Sequence, residues 1–249
     1  MTALRRTIKS FVLRAGRMSP RQQQGIDLWL MDYLIPSTVI TSPGETRNLD
    51  IISTDQVEYW DLPTLFGRDA DTVVEIGFGM GASLLTMARQ APEVNFIGIE
   101  VHWAGVGSLA ADLHDHEITN VKIAPYDAVE VFKRCIPDHE LAGVQIFFPD
   151  PWPKKRHHKR RLIQPDFIRL LMTKLKPGGF IHCATDWEEY AMHMHAVLSA
   201  EPALHNVQAD GQFLPRPDTR PLTKFEQRGT RLGHGVWDLK FKLASNYSL

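Results

Sequence analysis

The sequence lacks most of the features that mark secreted, membrane-spanning or metal-stapled proteins. Only two of its 249 residues are cysteine, Cys135 and Cys183, and their wide separation excludes a disulfide framework or a zinc knuckle. The apolar runs are too short to span a bilayer, and the N-terminus has no secretory signal. No set of His, Asp and Glu has the spacing of metal ligands. We therefore expect a cytoplasmic protein with no metal and no membrane partner.

A nearly neutral total charge conceals three strongly basic segments. The formal net charge is −1, yet residues 1–26 carry basic side chains and no acid, and residues 154–161 consist entirely of Lys, Arg and His. Residues 215–242 are the third basic segment. Three such segments on an otherwise acidic chain favour a polyanionic partner over solvated faces without a ligand. An Arg-rich start is also typical of a mitochondrial transit peptide, which is the alternative for residues 1–26.

Strand and helix patterns alternate from residue 71 onward, which predicts one α/β domain over 71–249 with helices on both faces of a mostly parallel sheet. Before it, residues 1–26 are expected to form a flexible arm, and 27–70 an irregular lead-in with a helix near 27–34. Alternation of apolar and polar residues over 235–243 predicts an antiparallel strand. The predicted strands of the domain are 71–76, 94–99, 121–124, 144–148 and 180–184, and its helices are 83–90, 103–116, 128–135, 167–175 and 187–198.

Acidic residues recur where these predicted strands end. They are Glu75, Glu100, Asp127, Asp150 and Asp186. Ligands of parallel α/β sheets bind at the carboxyl ends of the strands. The sequence therefore places these carboxylates along one edge of the sheet, at a candidate ligand site.

A glycine-rich loop follows the first predicted strand and fits two cofactors. Gly77 and Gly79, with Ala82, satisfy the dinucleotide fingerprint, so an NAD-linked oxidoreductase is one reading. A carboxylate at Glu75 would repel a pyrophosphate but would attract an ammonium group. S-adenosylmethionine carries an ammonium and no phosphate. In that reading Glu75 lies near the amino-acid end, Glu100 binds the ribose, and Asp127 meets the adenine amine.

The stretch from Phe147 to Arg161 combines an acid, a flat ring and a basic run. Asp150 lies between two prolines that restrict its backbone, and Trp152 follows closely. This combination is typical of a nucleobase held for chemistry beside a phosphate backbone. The alternatives are a turn cap for Asp150, a core aromatic for Trp152 and a solvated patch for the basic run.

Five motifs together resemble the bacterial tRNA (guanine-N7-)-methyltransferase family. They are Glu75 to Gly81 (EIGFGMG), Gly98 to His102 (GIEVH), Phe147 to Trp152 (FFPDPW), Ala184 to Trp187 (ATDW) and Thr223 to Gly229 (TKFEQRG). The resemblance implies a Rossmann-like class I methyltransferase domain, with a seven-stranded, mostly parallel sheet and an antiparallel C-terminal strand pair. It also implies methyl transfer from S-adenosylmethionine to N7 of guanosine-46 in the variable loop of tRNA.

The resemblance also carries roles to individual residues. Asp150 would be the catalytic residue and would also contact the cofactor. The other cofactor-binding residues would be Glu75, Gly77, Gly79, Gly81, Glu100 and Asp127. The target nucleotide would meet Lys154, Asp186, Thr223, Lys224, Phe225 and Glu226. RNA would bind Arg156, His157, His158, Lys159, Arg160 and Arg161.

Several alternatives stay open from the sequence. An NAD-dependent oxidoreductase and a non-catalytic RNA-binding protein compete with the methyltransferase. Either Trp152 or Phe225 could stack on the extruded guanine. The partner is expected to be tRNA and not DNA, and the protein is expected to act as a monomer or homodimer.

Overall fold

The computed structural model describes residues 9–12, 17–43, 56–222, 226 and 235–247 of the chain. Strands within these residues form a seven-stranded sheet. They are β1 (Thr72–Ile76), β2 (Asn95–Ile99), β3 (Val121–Ala124), β4 (Leu141–Phe147), β5 (Leu175–Thr185), β6 (Leu204–Asn206) and β7 (Trp237–Leu243). Their order across the sheet is β3-β2-β1-β4-β5-β7-β6.

The strand directions confirm the predicted mixed sheet. β1 pairs in parallel with β2 and β4, and the outer pairs β2–β3 and β4–β5 are also parallel. β7 runs antiparallel to both β5 and β6. From β1 the chain adds β2 and β3 on one side of the sheet, and it then returns to add β4 and β5 on the other side. The strand order therefore reverses between β1 and β4. Such a reversal opens a crevice at the carboxyl ends of the strands.

Helices cover both faces of the sheet. They are α1 (Pro20–Gln24), α2 (Leu30–Tyr33), α3 (Leu62–Phe66), α4 (Ala82–Gln90), α5 (Trp103–Asp115), α6 (Ala128–Arg134), α7 (Pro165–Lys174) and α8 (Glu188–Ser199), with a π-helical turn at Gly25–Trp29 and a 3-10 helix at Lys155–Arg160. Alternate residues of β1 enter two different cores, as the period of a strand requires. Val74 packs in the core with residues of α6, α7 and α8, whereas Val73 packs with residues of α4 and α5. Within the described residues, no helix has the length and apolar character needed to cross a membrane.

The N-terminal helix corrects the predicted boundary of the arm. Helical structure begins at Pro20, inside the segment expected to be flexible, because Ser19 and Gln22 form a capping box and proline occupies the first turn. This helix packs closely on α5: a Cβ on Gly25 would lie 2.0 Å from the carbonyl oxygen of Gly107. Residues 20–33 therefore form one helical segment, and the predicted helix near 27–34 is its second half.

The α7–β5 region also differs from the predicted elements. The helix was expected over 167–175 and the strand over 180–184, but α7 begins at Pro165 and β5 begins at Leu175. Leu175 pairs with Leu141, and a register shift to the Gly143–Phe180 pair absorbs the intervening Pro-Gly-Gly residues. The short strand β6 was not predicted, since its three residues are too few for a visible pattern.

Candidate cofactor and nucleic-acid site

A cleft opens at the carboxyl edge of the sheet, where β1, β2 and β4 end. The residues that line it include Gly77, Glu100 and Asp150. Other side chains of its wall are apolar or aromatic: Ile76, Ile99, Tyr126, Phe147, Phe148 and Leu162. The structure therefore brings the glycine loop, one strand-end acid and the Pro-Asp-Pro segment to one place, as the sequence predicted. An apolar cleft with a few convergent polar groups is the usual form of a small-molecule site.

The glycine loop leaves open space where side chains would stand. Gly77 and Gly79 have φ of 77° and 59°, and Gly81, which precedes α4, has φ of 86°. A Cβ added at Gly77 or at Gly79 would meet no heavy atom of the described chain within 4 Å. The backbone is thus shaped for a close approach of a ligand that larger residues would block.

Glu100 lies at the end of β2 and is held by backbone donors. The Gly79 N–H donates to its Oε2 at 3.0 Å, and the Val101 and His102 N–H groups donate to Oε1 at 2.7 and 3.0 Å. The His102 ring Nδ1 also lies 2.8 Å from Oε1. These bonds fix one carboxylate against the glycine loop. Oε2 has one of these donors and can accept a further hydrogen bond, which suits a ribose hydroxyl.

Glu75 is a buried acid with an unsatisfied oxygen. The residue is 2% exposed, and its Oε2 has no hydrogen-bond partner among the described residues. Burial, and secondarily the charge of Glu100, raises the pKa of Glu75 to about 8. A buried acid in this state is poised to gain a cationic partner, because an opposite charge would favour its ionised form.

Asp127 caps α6 and meets a lysine of the N-terminal segment. Its side chain accepts a hydrogen bond from the Val129 N–H. The Lys9 Nζ lies 2.6 Å from Asp127 Oδ2. The carboxylate expected to meet the adenine amine therefore has an amine on it already, supplied by the chain itself.

Residues 9–12 pass across the cleft, and Ser10 and Phe11 line it. Three side chains of the body hold this segment by its carbonyl oxygens. Trp152 Nε1 donates to Ser10 O at 3.1 Å, and Arg160 donates to Lys9 O and Phe11 O, both at 3.2 Å. The third side chain is His102, whose ring Nε2 lies 3.1 Å from Val12 O. The described part of the predicted arm therefore lies against the site.

Asp150 is exposed and follows a strained turn. Phe148 has φ of 52° and Trp152 has φ of 45°, in the left-handed region that residues with a Cβ rarely adopt. The Phe148 N–H continues the sheet by donating to Ala184 O at 2.8 Å. The chain then turns, so that Asp150 lines the cleft. Asp186, predicted to contact the target, is exposed just beyond the end of the neighbouring strand β5.

The basic run is divided between surface and interior. Lys154, Lys155, Arg156 and Lys159 are exposed around the 3-10 helix. Burial and the neighbouring cations lower the pKa of His157, so this ring adds no charge at neutral pH. His158 is half-buried, and Arg160 stacks 4.0 Å over the Trp152 ring while it holds residues 9–11.

Arg161 is not part of the basic surface. It is 2% exposed, donates to Pro151 O at 2.9 Å and pairs with Glu189 of α8. Its guanidinium also lies over the Tyr190 ring. A fully buried cation must be paired, and these contacts satisfy it within the protein. We therefore remove Arg161 from the residues expected to bind RNA.

Glu226 is likewise turned inward. It is 5% exposed, and Arg220 holds both of its oxygens, at 2.6 and 2.9 Å. A direct contact with the target nucleotide is therefore not supported for Glu226. The other predicted residues of that motif, Thr223, Lys224 and Phe225, lie outside the described residues.

Sequence reasoning missed several residues of the site. Lys9, Ser10 and Phe11 carried no signal beyond the basic charge of their segment. Tyr126 lines the cleft and donates to Ile35 O at 3.0 Å, but a lone tyrosine after a strand has no distinctive pattern. Trp187, which is 42% exposed beside Asp186, is an open aromatic at this edge. The position of Trp187 directly after the strand-end acid Asp186 could have indicated that it lies at this edge of the sheet. Trp152, by contrast, is half-buried between Arg160 and the N-terminal segment.

The residues present fit S-adenosylmethionine better than a dinucleotide. The buried carboxyl group of Glu75, whose Oε2 has no hydrogen-bond partner in the described part of the chain, precedes the open glycine cradle, and the Glu100 carboxylate borders it. Such a site attracts an ammonium and ribose hydroxyls, whereas a pyrophosphate would face negative charge.

Comparisons with known proteins agree with this geometry. Residues 69–239 match a family model described as "Putative methyltransferase". The crystal structure of the 16S rRNA methyltransferase KamB aligns with a TM-score of 0.55 and 16% identity, over 75% of this chain and 95% of that chain. A 16S rRNA (adenine(1408)-N(1))-methyltransferase from Catenulisporales acidiphilia, solved with its cosubstrate, aligns with a TM-score of 0.51 and 16% identity, over 74% and 90%. The fold and the cleft thus define a class I S-adenosylmethionine-dependent methyltransferase.

Curated relatives narrow this class to a family. A tRNA (guanine-N(7)-)-methyltransferase of Legionella pneumophila (strain Corby) is 62% identical over 96% of this chain and 99% of its own. A tRNA (guanine-N(7)-)-methyltransferase of Shewanella baltica (strain OS155) is 54% identical over 95% and 92%. The chain belongs to the tRNA (guanine-N7-)-methyltransferase family.

Proposed function

We propose that this protein transfers the methyl group of S-adenosylmethionine to N7 of a guanine in tRNA. The observation that carries the proposal is that the glycine loop, Glu100 and Asp150 line one cleft. Shortly after Asp150 in the sequence, the chain forms an exposed basic helix. The high identity to curated tRNA (guanine-N(7)-)-methyltransferases along almost the whole chain supports it.

The target atom decides what the protein must supply. N7 of guanine has a lone pair and no proton to lose, so the reaction needs little base catalysis. The bound cofactor supplies an electrophilic methyl group on a sulfonium. What remains is the approach of the two reactants in line, which is a problem of positioning. The site should therefore hold its groups rigidly and should not need a proton relay.

Asp150 is the residue we assign to the guanine. Its exposed carboxylate can accept hydrogen bonds from N1–H and the exocyclic amine of the base. Methylation leaves positive charge on the guanine, and a fixed carboxylate stabilises that charge as it forms. Glu75, Glu100 and Asp127 hold the cofactor in this proposal, with Gly77 and Gly79 giving room for close approach. Gly81, expected to bind the cofactor, instead makes room for Leu109 of α5, which a Cβ would meet at 2.7 Å. Asp186 and Lys154 border the base.

The RNA surface is smaller than the sequence indicated. We assign phosphate binding to the exposed cations Lys155, Arg156 and Lys159, together with Lys154. The lowered pKa of His157 leaves its ring without charge at neutral pH, and Arg160 takes part only if residues 9–12 leave it. The part of the cleft lined by Asp150 would receive the extruded base.

The finer parts of the proposal concern the substrate and the setting. Guanosine-46 in the variable loop is the proposed target, and the protein acts on tRNA and not on DNA. It works in the cytoplasm as a monomer or homodimer. Its two cysteines are buried and unpaired with each other, which is compatible with a reducing compartment.

A labelling experiment tests the function directly. The protein is incubated with methyl-labelled cofactor and unmodified tRNA transcripts, and nucleosides are identified by mass spectrometry. We expect N7-methylguanosine at the variable loop, and none in a transcript in which that guanine is replaced by adenine. Label in another nucleoside, or in DNA of the same sequence alone, would overturn the proposal. Titration with NADH, for which we expect no binding, checks the dinucleotide alternative.

A further inference from the structure

We propose that Arg220 is a positioning residue that fixes the turn before Asp150. Arg220 is 0% exposed and is the largest fully buried side chain among the described residues. The expected effect on the methylation rate rests on the proposed function. The contacts of Arg220 that hold the turn, which we call the Arg220 clamp, are a property of the fold. Isolated charges are not left in protein interiors, so the partners of this guanidinium define what it does.

Two carboxylates from different parts of the chain bind Arg220. Its Nε and Nη2 donate to Asp238 of β7 at 2.7 and 2.8 Å, and its Nη1 and Nη2 donate to Glu226 at 2.6 and 2.9 Å. Both acids are buried, at 1% and 5% exposed. Paired bonds of this kind fix the plane of the guanidinium as well as its position.

A buried histidine completes the cluster. His182 Nε2 lies 2.9 Å from Asp238 Oδ1, and burial lowers the pKa of His182. The neutral ring donates a hydrogen bond to the carboxylate and brings no second cation. Asp238 is thereby held by two side chains, Arg220 and His182. Arg220 bonds both carboxylates, and Arg216 adds a longer contact of 3.9 Å to Glu226.

The face of the guanidinium meets the end of the catalytic strand. Its Cζ lies 6.0 Å from the ring centre of Phe147 and 5.5 Å from that of Phe148. Phe147 is the last residue of β4, and Phe148 has the positive φ that turns the chain toward Asp150. A left-handed conformation at a residue with a Cβ is unfavourable, so surrounding contacts must maintain it. The cation above the two rings is such a contact.

Arg220 therefore joins three parts of the protein: β7, the residue Glu226 and the turn that carries Asp150. In-line methyl transfer is sensitive to small errors of placement, and a shift of about 1 Å can slow a reaction on the order of 100-fold. Loss of the planar fork should therefore reduce the chemical step far more than cofactor binding. A role confined to stability would instead lower the amount of folded protein.

The central variant is Arg220→Lys, which keeps the charge but loses the fork and the flat face. The matched control is Lys174→Met, which removes another buried cation, 5% exposed and 2.6 Å from Asp138. Lys174 precedes the first residue of β5 and so lies at the edge of the sheet opposite to the cleft. Each protein is assayed for thermal unfolding, affinity for S-adenosylhomocysteine and single-turnover methylation of tRNA.

We expect Arg220→Lys to bind S-adenosylhomocysteine within about threefold of the original protein but to methylate on the order of 100-fold more slowly. Lys174→Met should lose stability and keep its single-turnover rate. Hydrogen exchange gives a readout that does not need activity: the Phe148 amide, protected by Ala184 O, should exchange faster in Arg220→Lys and not in Lys174→Met. A normal rate together with normal protection in Arg220→Lys would overturn the proposal.

A second pair of variants decides the matter if Arg220→Lys does not fold. Phe148→Leu removes the ring and leaves both ion pairs, whereas Phe148→Tyr keeps a ring in place. The proposed Arg220 clamp is supported if Phe148→Leu methylates more slowly and exchanges faster in the 144–152 peptide while Phe148→Tyr does neither. Equal rates of methylation and exchange in the two variants contradict it. If the original protein does not methylate tRNA, the proposed function fails, and the exchange comparison still decides the role of Arg220.

Discussion

The buried acid Glu75 predicts an unusual dependence of stability on pH. Its pKa is about 8 in the folded protein, against 4.5 for an ordinary glutamate. Between these values the folded chain keeps a proton that the unfolded chain releases, so the free energy of unfolding falls as pH rises. Below pH 4.5 both states are protonated, and above pH 8 both are ionised and the loss is complete.

Replacing Glu75 with Gln isolates this effect, because the amide cannot ionise. From the two pKa values, the variant should exceed the original protein in stability by about 1 kcal/mol at pH 5 and about 4 kcal/mol at pH 8. The new amide also has an acceptor nearby in the sheet. Gln145 is the register partner of Glu75 on β4, and its Oε1 has no hydrogen-bond partner in the described chain.

Urea denaturation of the ligand-free protein at several pH values between 5 and 8 measures the difference. Glu93→Gln, at an exposed position, is the control and should show no trend with pH. A stability difference for Glu75→Gln that stays flat or shrinks as pH rises would refute the reasoning. Titrations of other groups cancel, because they are shared by the variant and the original protein.

The same acid links cofactor binding to proton release. An ammonium beside Glu75 favours the carboxylate, so binding of S-adenosylhomocysteine at pH 7 should release a proton from a site whose pKa is about 8. Calorimetry in buffers of different ionisation enthalpy counts that proton. Glu75→Gln should release none and should bind more weakly. Proton release that is equal in the two proteins would show that the ammonium lies elsewhere.

Three further predictions concern the rest of the site. Asp150→Asn should lose methyl transfer while keeping most of its affinity for tRNA and S-adenosylhomocysteine; near-normal single-turnover rates would remove Asp150 from the mechanism. Lys9→Ala should tighten S-adenosylhomocysteine binding by up to about fivefold, because the half-exposed ion pair of Lys9 with Asp127 contributes at most about 1 kcal/mol. Lys9→Arg is the control. Unchanged affinity in Lys9→Ala would contradict a competition between Lys9 and the cofactor for Asp127. A triple variant replaces the exposed cations Lys154, Arg156 and Lys159 with Ala. The slope of log affinity for tRNA against log salt concentration should fall in magnitude by about 2 to 3, with cofactor affinity unchanged. An unchanged slope would show that the phosphates bind elsewhere.

The fold was largely predictable because its signals are local and repeated. Each buried strand is a short β-branched run, and each helix follows with its own apolar period, so β3 and α6 were placed to within one residue. The elements that escaped prediction depend on tertiary contacts. The helix from Pro20 needs Gly107 of α5 to accommodate Gly25, and β5 reaches back to Leu175 only through its pairing with β4.

The candidate site likewise has a part that the sequence predicts and a part that depends on tertiary contacts. Strand ends are fixed by topology, so the sequence could place Glu75, Glu100 and Asp150 at one edge before any coordinates. The segment Lys9–Val12 could not be placed, because most of its hydrogen bonds run through its own carbonyl oxygens, as those to Trp152 and Arg160 do. Backbone acceptors are present at every residue, and no sequence pattern marks the few that are used.

Charged side chains were the least predictable, because a sequence gives charge and not solvation. Arg161 and Glu226 were both expected at the RNA, and both are buried and ion-paired within the protein. Their actual positions nevertheless bear on the placement of Asp150. Arg161 binds the carbonyl oxygen of Pro151 just after Asp150, and Arg220, held by Glu226, lies over Phe148 just before it. The acid is therefore bracketed by two buried guanidinium groups whose charges are satisfied inside the protein.

This bracketing explains how an exposed loop residue can serve a reaction that depends on placement. Loops carry functional groups but are mobile unless their ends are fixed. Here prolines restrict the backbone on both sides of Asp150, and a buried cation anchors each end of the turn. The carboxylate itself stays open to the cleft. In the proposed mechanism, methyl transfer to N7 requires no proton relay, so the buried charges can serve to hold the turn. Asp150 would then meet the guanine in a geometry set before the tRNA arrives.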